Sequence, residues 1–163
     1  HLGIEFELAV EIAKDIPLDA APLDAASVRD FVAACVPAFE LIEDRNADYS
    51  DLDALSIMLD NSWCGGIVLS EAVGDWRALD FETNPVEMYL NDVFVESGVT
   101  GDAMGHPFKS VAWLAELLAG QGKQLRAGMT VMTGSTLATR FPKAGEQYRY
   151  EIEGLGSVST ALS

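Results

Sequence analysis

Two glutamates, Glu5 and Glu7, lie two positions apart near the start of the chain, in a segment where apolar and polar residues alternate. From Ile4 to Ile12 every even position is apolar, whereas the odd positions are Glu5, Glu7, Ala9 and Glu11. This period of two predicts a half-buried β-strand, because successive side chains leave a strand on opposite faces. Glu5 and Glu7 would then point the same way, roughly 7 Å apart, and would repel one another unless water or a cation lies between them. The pair indicates either part of a metal site or the solvent-facing side of a sheet. Glu11 continues the polar pattern and favours the solvent-facing side.

A third glutamate, Glu40, lies in the segment P-A-F-E-L-I-E-D-R, within which Ala38–Glu43 is predicted to be a second strand. In such a strand Glu40 shares its face with Ala38 and Ile42, so its carboxylate points toward an apolar side. Burial of an unpaired carboxylate costs several kcal/mol, and the group therefore needs a cation or several hydrogen-bond donors. A metal ion or a salt bridge to Arg45 would each meet this need.

Composition limits the possible partners. The 163 residues suit one domain, and 10 Lys and Arg against 26 Asp and Glu give a formal charge of −16. So acidic a surface repels phosphate backbones and anionic lipid, which argues against nucleic-acid or membrane partners, and it suits a hard divalent cation. No apolar run approaches the roughly 20 residues of a membrane span. With Cys35 and Cys64 interpreted as reduced thiols, we expect a cytoplasmic protein.

The remaining pattern predicts a single α+β domain in which strands predominate. A loop is expected at Pro17–Pro22, and an apolar stripe at helical spacing predicts a helix over Ala25–Val36 that Pro37 ends and in which Cys35 is packed. Another helix is expected after Ser50, as its N-cap, and a third from Pro107, with His106 as its cap. Further strands are predicted at Ile67–Leu69, Val86–Leu90, Val93–Val95, Met129–Thr133, Gln147–Glu153 and Ser157–Leu162.

Several catalytic classes find no support in these motifs. The sequence contains no P-loop and no dinucleotide-binding fingerprint, because Gly154-Leu155-Gly156 lies between predicted strands rather than before a helix. The serines lack a plausible histidine partner in the local sequence for a hydrolytic triad. Acid-rich, metal-dependent chemistry remains.

Six segments carry a resemblance to a known family. In order they are E-F-E, P-A-F-E-L-I-E-D-R, L-D-N-S-W-C-G-G-I-V-L, G-H-P-F-K-S-V-A-W-L-A, L-R-A-G-M-T-V-M-T-G-S and G-L-G-S-V-S. Together they resemble the fumarylacetoacetate hydrolase superfamily, in particular its branch of 2-hydroxypenta-2,4-dienoate hydratases and 4-oxalocrotonate decarboxylases of aromatic meta-cleavage pathways. The resemblance implies a mixed, rolled β-structure with a few flanking helices.

The same resemblance implies a site. It assigns Glu5, Glu7 and Glu40 as ligands of a Mg²⁺ or Mn²⁺ ion, and Gly134 and Ser135, within T-G-S, as donors to a substrate carboxylate. Ser62 is a further candidate for substrate binding, beside Trp63 where the family has small residues. No catalytic acid or base is identified. In the family a region ahead of the E-x-E strand supplies a lysine, and neither Lys14 nor Lys109 occupies that position.

The implied activity is a metal-dependent lyase that adds water to a short 2-hydroxy-2,4-dienoate in aromatic catabolism. The alternatives are a 4-oxalocrotonate-type decarboxylase and a non-catalytic metal-binding or assembly subunit. An apolar substrate tail is expected to pack on residues such as Trp63, Phe39 or Met132. We expect residues 1–163 to form one catalytic-type domain that lacks an N-terminal region of the intact protein, and that is part of a homo-oligomer.

Overall fold

A computed structural model describes residues 1–20 and 22–163. In chain order the strands are β1 (Leu2–Ile12), β2 (Val32–Glu43), β3 (Cys64–Leu69), β4 (Pro85–Leu90), β5 (Val93–Val99), β6 (Thr130–Ser135), β7 (Gln147–Ile152) and β8 (Gly156–Ala161). The α-helices are α1 (Ala54–Leu59) and α2 (Pro107–Gly120), and short 3-10 segments lie at Ser27–Phe31, Tyr49–Asp51, Asn61–Trp63, Trp76–Ala78 and Thr100–Asp102. The predicted α+β class with few helices is confirmed. None of the described helices is long and apolar enough to cross a membrane.

Within the described residues, the strands form two four-stranded antiparallel sheets with the orders β3-β2-β1-β6 and β5-β4-β7-β8. The even positions of β1 face the second sheet, and Phe6 is one of the residues that contact it. Its ring centroid lies 5.6 Å from that of Phe39 and 5.7 Å from that of Tyr150. Since these rings are fully buried, the apolar face of β1 is fixed against the core and its odd positions face away from the second sheet.

The prediction of a helix over Ala25–Val36 is wrong. The structure has only the 3-10 turn Ser27–Phe31, after which β2 begins at Val32, so that Cys35 lies on a strand and not on a helix. The physical reason is long-range pairing: β2 forms a ladder with the whole of β1, which outweighs a local pattern that suits either structure. Residue Ala21 of the predicted Pro17–Pro22 loop lies outside the described residues.

Pro37 lies inside β2, opposite Leu8 of β1, although it was expected to end a helix. Its carbonyl accepts a hydrogen bond from the Ser70 amide at 3.1 Å, just beyond the end of β3. Because the N–H and C=O of one strand residue point to the same side, the missing N–H of Pro37 also faces that side. The ladder between β1 and β2 therefore loses no hydrogen bond at the proline.

The predicted helix caps and turns agree with the structure at two places and differ at a third. His106 caps α2, with its Nδ1 accepting from the Phe108 amide at 3.0 Å. Between the predicted strands Val86–Leu90 and Val93–Val95, Asn91 and Asp92 form a two-residue hairpin turn with positive φ values of 50° and 62°. The N-cap of α1 is Asp53, which accepts from the Ser56 amide, and not the predicted Ser50.

The turn Thr100–Asp102, which leads toward α2, packs directly on the segment that precedes β4. The Thr100 hydroxyl donates to the Phe81 carbonyl at 2.7 Å, and the Thr100 amide donates to the Asn84 carbonyl at 2.9 Å. A Cβ added to Gly101 would lie 2.2 Å from the carbonyl oxygen of Glu82. Only a residue without a side chain fits between these two backbones.

We predict that Gly101→Ala lowers the free energy of unfolding by about 1–3 kcal/mol, the usual cost of overpacking, because backbone atoms have to move. Gly66→Ala is the matched control, since a Cβ at Gly66 meets nothing within 4 Å. Urea unfolding followed by circular dichroism measures both changes. Equal stability of the two variants would contradict the close approach at Gly101.

Candidate metal centre

The pairing of β1 with β2 brings together the glutamates that the sequence singles out. Glu5 lies directly opposite Glu40 in the antiparallel ladder, and Glu7 lies two positions further along the same face of β1. Ligand oxygens of Glu5, Glu7 and Glu40 all lie within 4.8 Å of one another. Glu11, on the same face, is exposed and stands apart from this cluster. The solvent-facing interpretation of the strand therefore applies to Glu11 alone.

Glu7 is the most buried member of the cluster, with 2% of its surface exposed. Burial raises the pKa of its carboxyl from 4.5 to about 8; the Gly134 amide opposes this shift, and the nearby carboxylates of Glu40 and Glu5 add to it. Three carboxylates this close together, one of them almost fully buried, would be stabilised by a positive charge placed between them. An all-oxygen donor set of this kind fits a hard divalent cation.

Glu5 and Glu40 are half-buried and have different neighbours. The Thr139 hydroxyl donates to Glu5 at 2.9 Å, which orients this carboxylate. Arg45, the alternative partner considered for Glu40, forms its salt bridge with Asp60 instead, and no salt bridge among the described residues includes Glu40. The alternative explanation of Glu40 by an ion pair with Arg45 is wrong.

Gly134 and Ser135 lie at the edge of the cluster, where β6 bulges. Glu7 pairs with Ser135 but Ala9 pairs with Met132, so β6 has one residue more than β1 between these pairs, and Gly134 adopts a φ of 105°. The bulge directs the Gly134 amide at Glu7, to which it donates at 2.7 Å. Substrate binding by this amide stays a prediction, since the protein already uses the donor.

The Ser135 hydroxyl is likewise engaged within the protein. It accepts from the Phe6 amide at 3.0 Å and donates to the Leu137 carbonyl at 2.9 Å. The first bond fastens the end of β6 to β1, and the second is local. Because a carboxylate only accepts hydrogen bonds, a substrate carboxylate at Ser135 would have to replace the Leu137 carbonyl.

A cavity of about 460 Å³ opens beside the cluster. Its lining consists of Glu5, Glu40, Ile42, Tyr49, Ser62, Trp63, Thr139 and Phe141. Ser62 and Trp63, both flagged by the sequence, thus lie beside Glu5 and Glu40. Phe39 does not, because its ring is fully buried against Phe6, and Met132 lines a separate cavity beside α2.

Sequence reasoning missed two residues of this centre, Thr139 and Tyr49. Thr139 precedes Arg140, whose backbone forms a bridge with Ile4 outside the regular strands, so no periodic pattern reveals it. Tyr49 lies in a 3-10 turn between β2 and α1. Both reach the cavity through tertiary packing, which leaves no local signal.

A family model described as fumarylacetoacetate (FAA) hydrolase C-terminal matches residues 1–163. The chain is 32% identical over 164 residues to a 4-oxalocrotonate decarboxylase of Pseudomonas putida, covering 98% of this chain and 59% of that protein. It is 30% identical over 156 residues to a 2-hydroxyhexa-2,4-dienoate hydratase of Comamonas testosteroni, covering 95% of this chain and 58% of that protein.

A similar solved structure is the 4-oxalocrotonate decarboxylase from Pseudomonas putida G7 complexed with magnesium and adipate. The TM-score is 0.89 at 29% identity, over 100% of this chain and 61% of that one. The chain thus spans about three fifths of the length of the relatives it matches. Because the family model matches from His1 to Ser163, the chain belongs to the fumarylacetoacetate (FAA) hydrolase C-terminal family.

Proposed function

We propose that this chain is the metal-binding, catalytic-type domain of a lyase that adds water to a short 2-hydroxy-2,4-dienoate in aromatic catabolism. The observation that carries the proposal is the convergence of Glu5, Glu7 and Glu40, whose ligand oxygens lie within 4.8 Å of one another beside an open cavity. The names of the relatives support the reaction class, since they include hydratases and decarboxylases of related acids.

Glu5, Glu7 and Glu40 would hold a Mg²⁺ or Mn²⁺ ion. Carboxylate oxygens are the ligands that these ions prefer, and three of them leave coordination positions for a 2-oxo acid. When bound, the ion supplies polarisation of the 2-oxo group and stabilises the negative charge that both hydration and decarboxylation develop there. Thr139 holds Glu5 and the Gly134 amide holds Glu7, so the protein fixes two of the three ligands in advance.

The substrate would occupy the cavity beside Glu5 and Glu40. Ser62 lines that cavity, and Gly134 and Ser135 lie at the other side of the cluster, next to Glu7. We propose Gly134 and Ser135 as contacts of the substrate carboxylate, in exchange for bonds that they now make within the protein, and Ser62 as a contact of the substrate inside the cavity. Water excluded from the cavity by a bound acid would strengthen each of these contacts.

Hydration is favoured over decarboxylation by the charge of the cavity. The decarboxylase substrate carries a second carboxylate, which needs a cation or donors close by. The lining residues that the structure describes include two glutamates but no lysine or arginine. The decarboxylase alternative rests on the similarity to 4-oxalocrotonate decarboxylases of Pseudomonas putida. The non-catalytic alternative rests on the absence of a lysine from the described lining of the cavity.

The remaining partners follow from the surface. A charge of −16 disfavours nucleic acid and anionic membranes, and the free cysteines Cys35 and Cys64 suit the cytoplasm. Leu55, Met58 and Leu59 form an exposed apolar stripe on α1. Such stripes are typical of interfaces, and we propose that the protein is a homo-oligomer.

We predict that Mg²⁺ or Mn²⁺ raises the melting temperature, because a ligand that binds only the folded state stabilises it, by about 2.7 kcal/mol at a hundred times its Kd. Glu7→Gln should abolish this rise while stabilising the metal-free protein, since it removes a buried acidic group. Differential scanning calorimetry with and without the ion measures both effects. A folded protein whose melting temperature ignores both ions would refute the metal centre.

Glu11→Gln is the matched control for this experiment, because it changes the same residue type on the same face of the same strand. It should leave the affinity for Mn²⁺ nearly intact, whereas Glu5→Gln, Glu7→Gln and Glu40→Gln should each weaken it at least tenfold. An equal loss for Glu11→Gln would mean that the centre lies further along β1.

We predict that the metal-free protein loses stability as the pH rises, because the fold keeps Glu7 protonated. The pKa is 4.5 for an ordinary glutamate and about 8 for Glu7 in the fold, so the folded state retains a proton that the unfolded state releases. Its contribution is complete below the lower value and is lost as the pH approaches the higher one, by at most about 1.4 kcal/mol per pH unit.

The measurement is urea unfolding in EDTA between about pH 5.5 and 7.5, the window below the raised pKa of Glu7. The stability gap between Glu7→Gln and the wild type should widen as the pH rises, which separates Glu7 from other titrating groups. Parallel pH profiles of the two proteins would show that Glu7 is ionised throughout.

For the reaction, we predict that the complete protein hydrates a short 2-hydroxy-2,4-dienoate with a higher kcat/KM than it decarboxylates the corresponding diacid. Both rates are measured side by side with Mg²⁺, with identification of the products. A clear preference for the diacid with release of CO₂ would establish the decarboxylase alternative. No turnover of either acid by a metal-loaded protein would establish the non-catalytic one.

A further inference from the structure

The segment Asn61–Trp63, which forms one wall of the cavity, has an unusual backbone. Three successive non-glycine residues, Asn61, Ser62 and Trp63, have positive φ values of 54°, 50° and 62°. Such conformations cost roughly 1 kcal/mol or more each and persist only where the surroundings enforce them. Here the Trp63 amide donates to the Asp60 carbonyl at 2.9 Å, and the Arg45 guanidinium pairs with the Asp60 carboxylate. The backbone thereby holds Trp63 at the cavity.

Trp63 packs against a second ring that is itself fixed. Its ring centroid lies 5.5 Å from that of Tyr49, with an angle of 65° between the ring planes. The Tyr49 hydroxyl donates to Asp44 at 3.0 Å, and Asp44 is 1% exposed and also accepts from the Asn46 amide at 2.9 Å. Because Asp44 directly follows β2, the aromatic pair is tied to the strand that carries Glu40.

Both rings line the cavity that contains Glu5 and Glu40. A ligand anchored at these glutamates through a divalent cation would extend past aromatic surface, with Ile42 and Phe141 as further apolar walls. A carboxylate at the far end of the ligand would lose water there and would find no lysine or arginine among the described lining residues. An alkyl or alkenyl end would bury apolar area instead.

We propose that Trp63 is a specificity-determining residue, held by Tyr49 and Asp44, that binds the apolar tail of a 2-oxo monoacid and rejects a distal carboxylate. This inference rests on the proposed function, because it assumes that a 2-oxo acid binds at the metal centre. It assigns discrimination to an aromatic pair outside the carboxylate cluster.

The test compares two six-carbon probes that differ only at the far end, 2-oxohexanoate with a methyl group and 2-oxoadipate with a carboxylate. Their binding to the Mn²⁺-loaded protein is measured by isothermal titration calorimetry, after the Mn²⁺ affinity of each variant has been determined. The wild type should bind 2-oxohexanoate at least about tenfold more tightly, as expected for an apolar pocket that also excludes a charge.

Variants of Trp63 should change this ratio without changing the affinity for Mn²⁺. Trp63→Ala should reduce the preference several-fold, Trp63→Phe should retain most of it, and Trp63→Arg should reverse it by supplying a cation. Tyr49→Phe keeps the ring but removes the bond to Asp44, so it should reduce the preference in part. A ratio that none of these changes affects would overturn the proposal.

Trp113→Ala is the matched control. Trp113 is 59% exposed and lines the separate cavity beside α2, with Thr133 and Gly134. The control should keep the wild-type ratio, and a loss of preference in Trp113→Ala but not in Trp63→Ala would place the tail on the other side of Glu7 and overturn the proposal. Binding of both acids with equal affinity also overturns it but leaves the proposed function standing, whereas binding of Mn²⁺ without either acid refutes the proposed function itself.

Discussion

The register between β1 and β2 is the constraint on which the rest of this molecule depends. It sets Glu5 directly opposite Glu40, a like-charge pair that weakens an antiparallel ladder, and it places buried Glu7 next to both. The opposing contribution comes from the other face of the same strands, where Ile4, Phe6 and Leu8 are fully buried. A slip of one residue would exchange these faces and expose the apolar set. The core therefore holds together a group of acids that would otherwise separate.

Much of this arrangement could be predicted from sequence, because apolar and polar residues alternate with a period of two along the strand. The alternation along β1 identifies the face of Glu5 and Glu7, and the short apolar run around Glu40 identifies a second strand. The start of β2 could not be predicted, since Val28, Val32 and Cys35 fit a helical stripe as well as their observed places. Only pairing with a distant strand decides between the two.

The parts of the site that sequence did not reveal depend on contacts between distant residues. Thr139 reaches Glu5 across 134 positions of the chain, and Gly134 reaches Glu7 across 127. The T-G-S segment was recognised, but the direction of its donors was not, because a bulge in β6 turns the Gly134 amide toward Glu7. In this structure the T-G-S segment therefore binds Glu7 of the acidic cluster. A ligand that accepted a hydrogen bond from the Gly134 amide would release the Glu7 carboxylate.

The acidic cluster and the aromatic wall of the cavity lie on different kinds of element, and they therefore differ in how well they tolerate mutation. The acids lie on paired strands, where a substitution disturbs both the ladder and the core beneath it. The aromatic wall lies on residues 44–63, a surface connection that tolerates substitution and insertion far better than a central strand. Substitutions in that connection can therefore reshape the wall of the cavity while the cluster of Glu5, Glu7 and Glu40 stays unchanged.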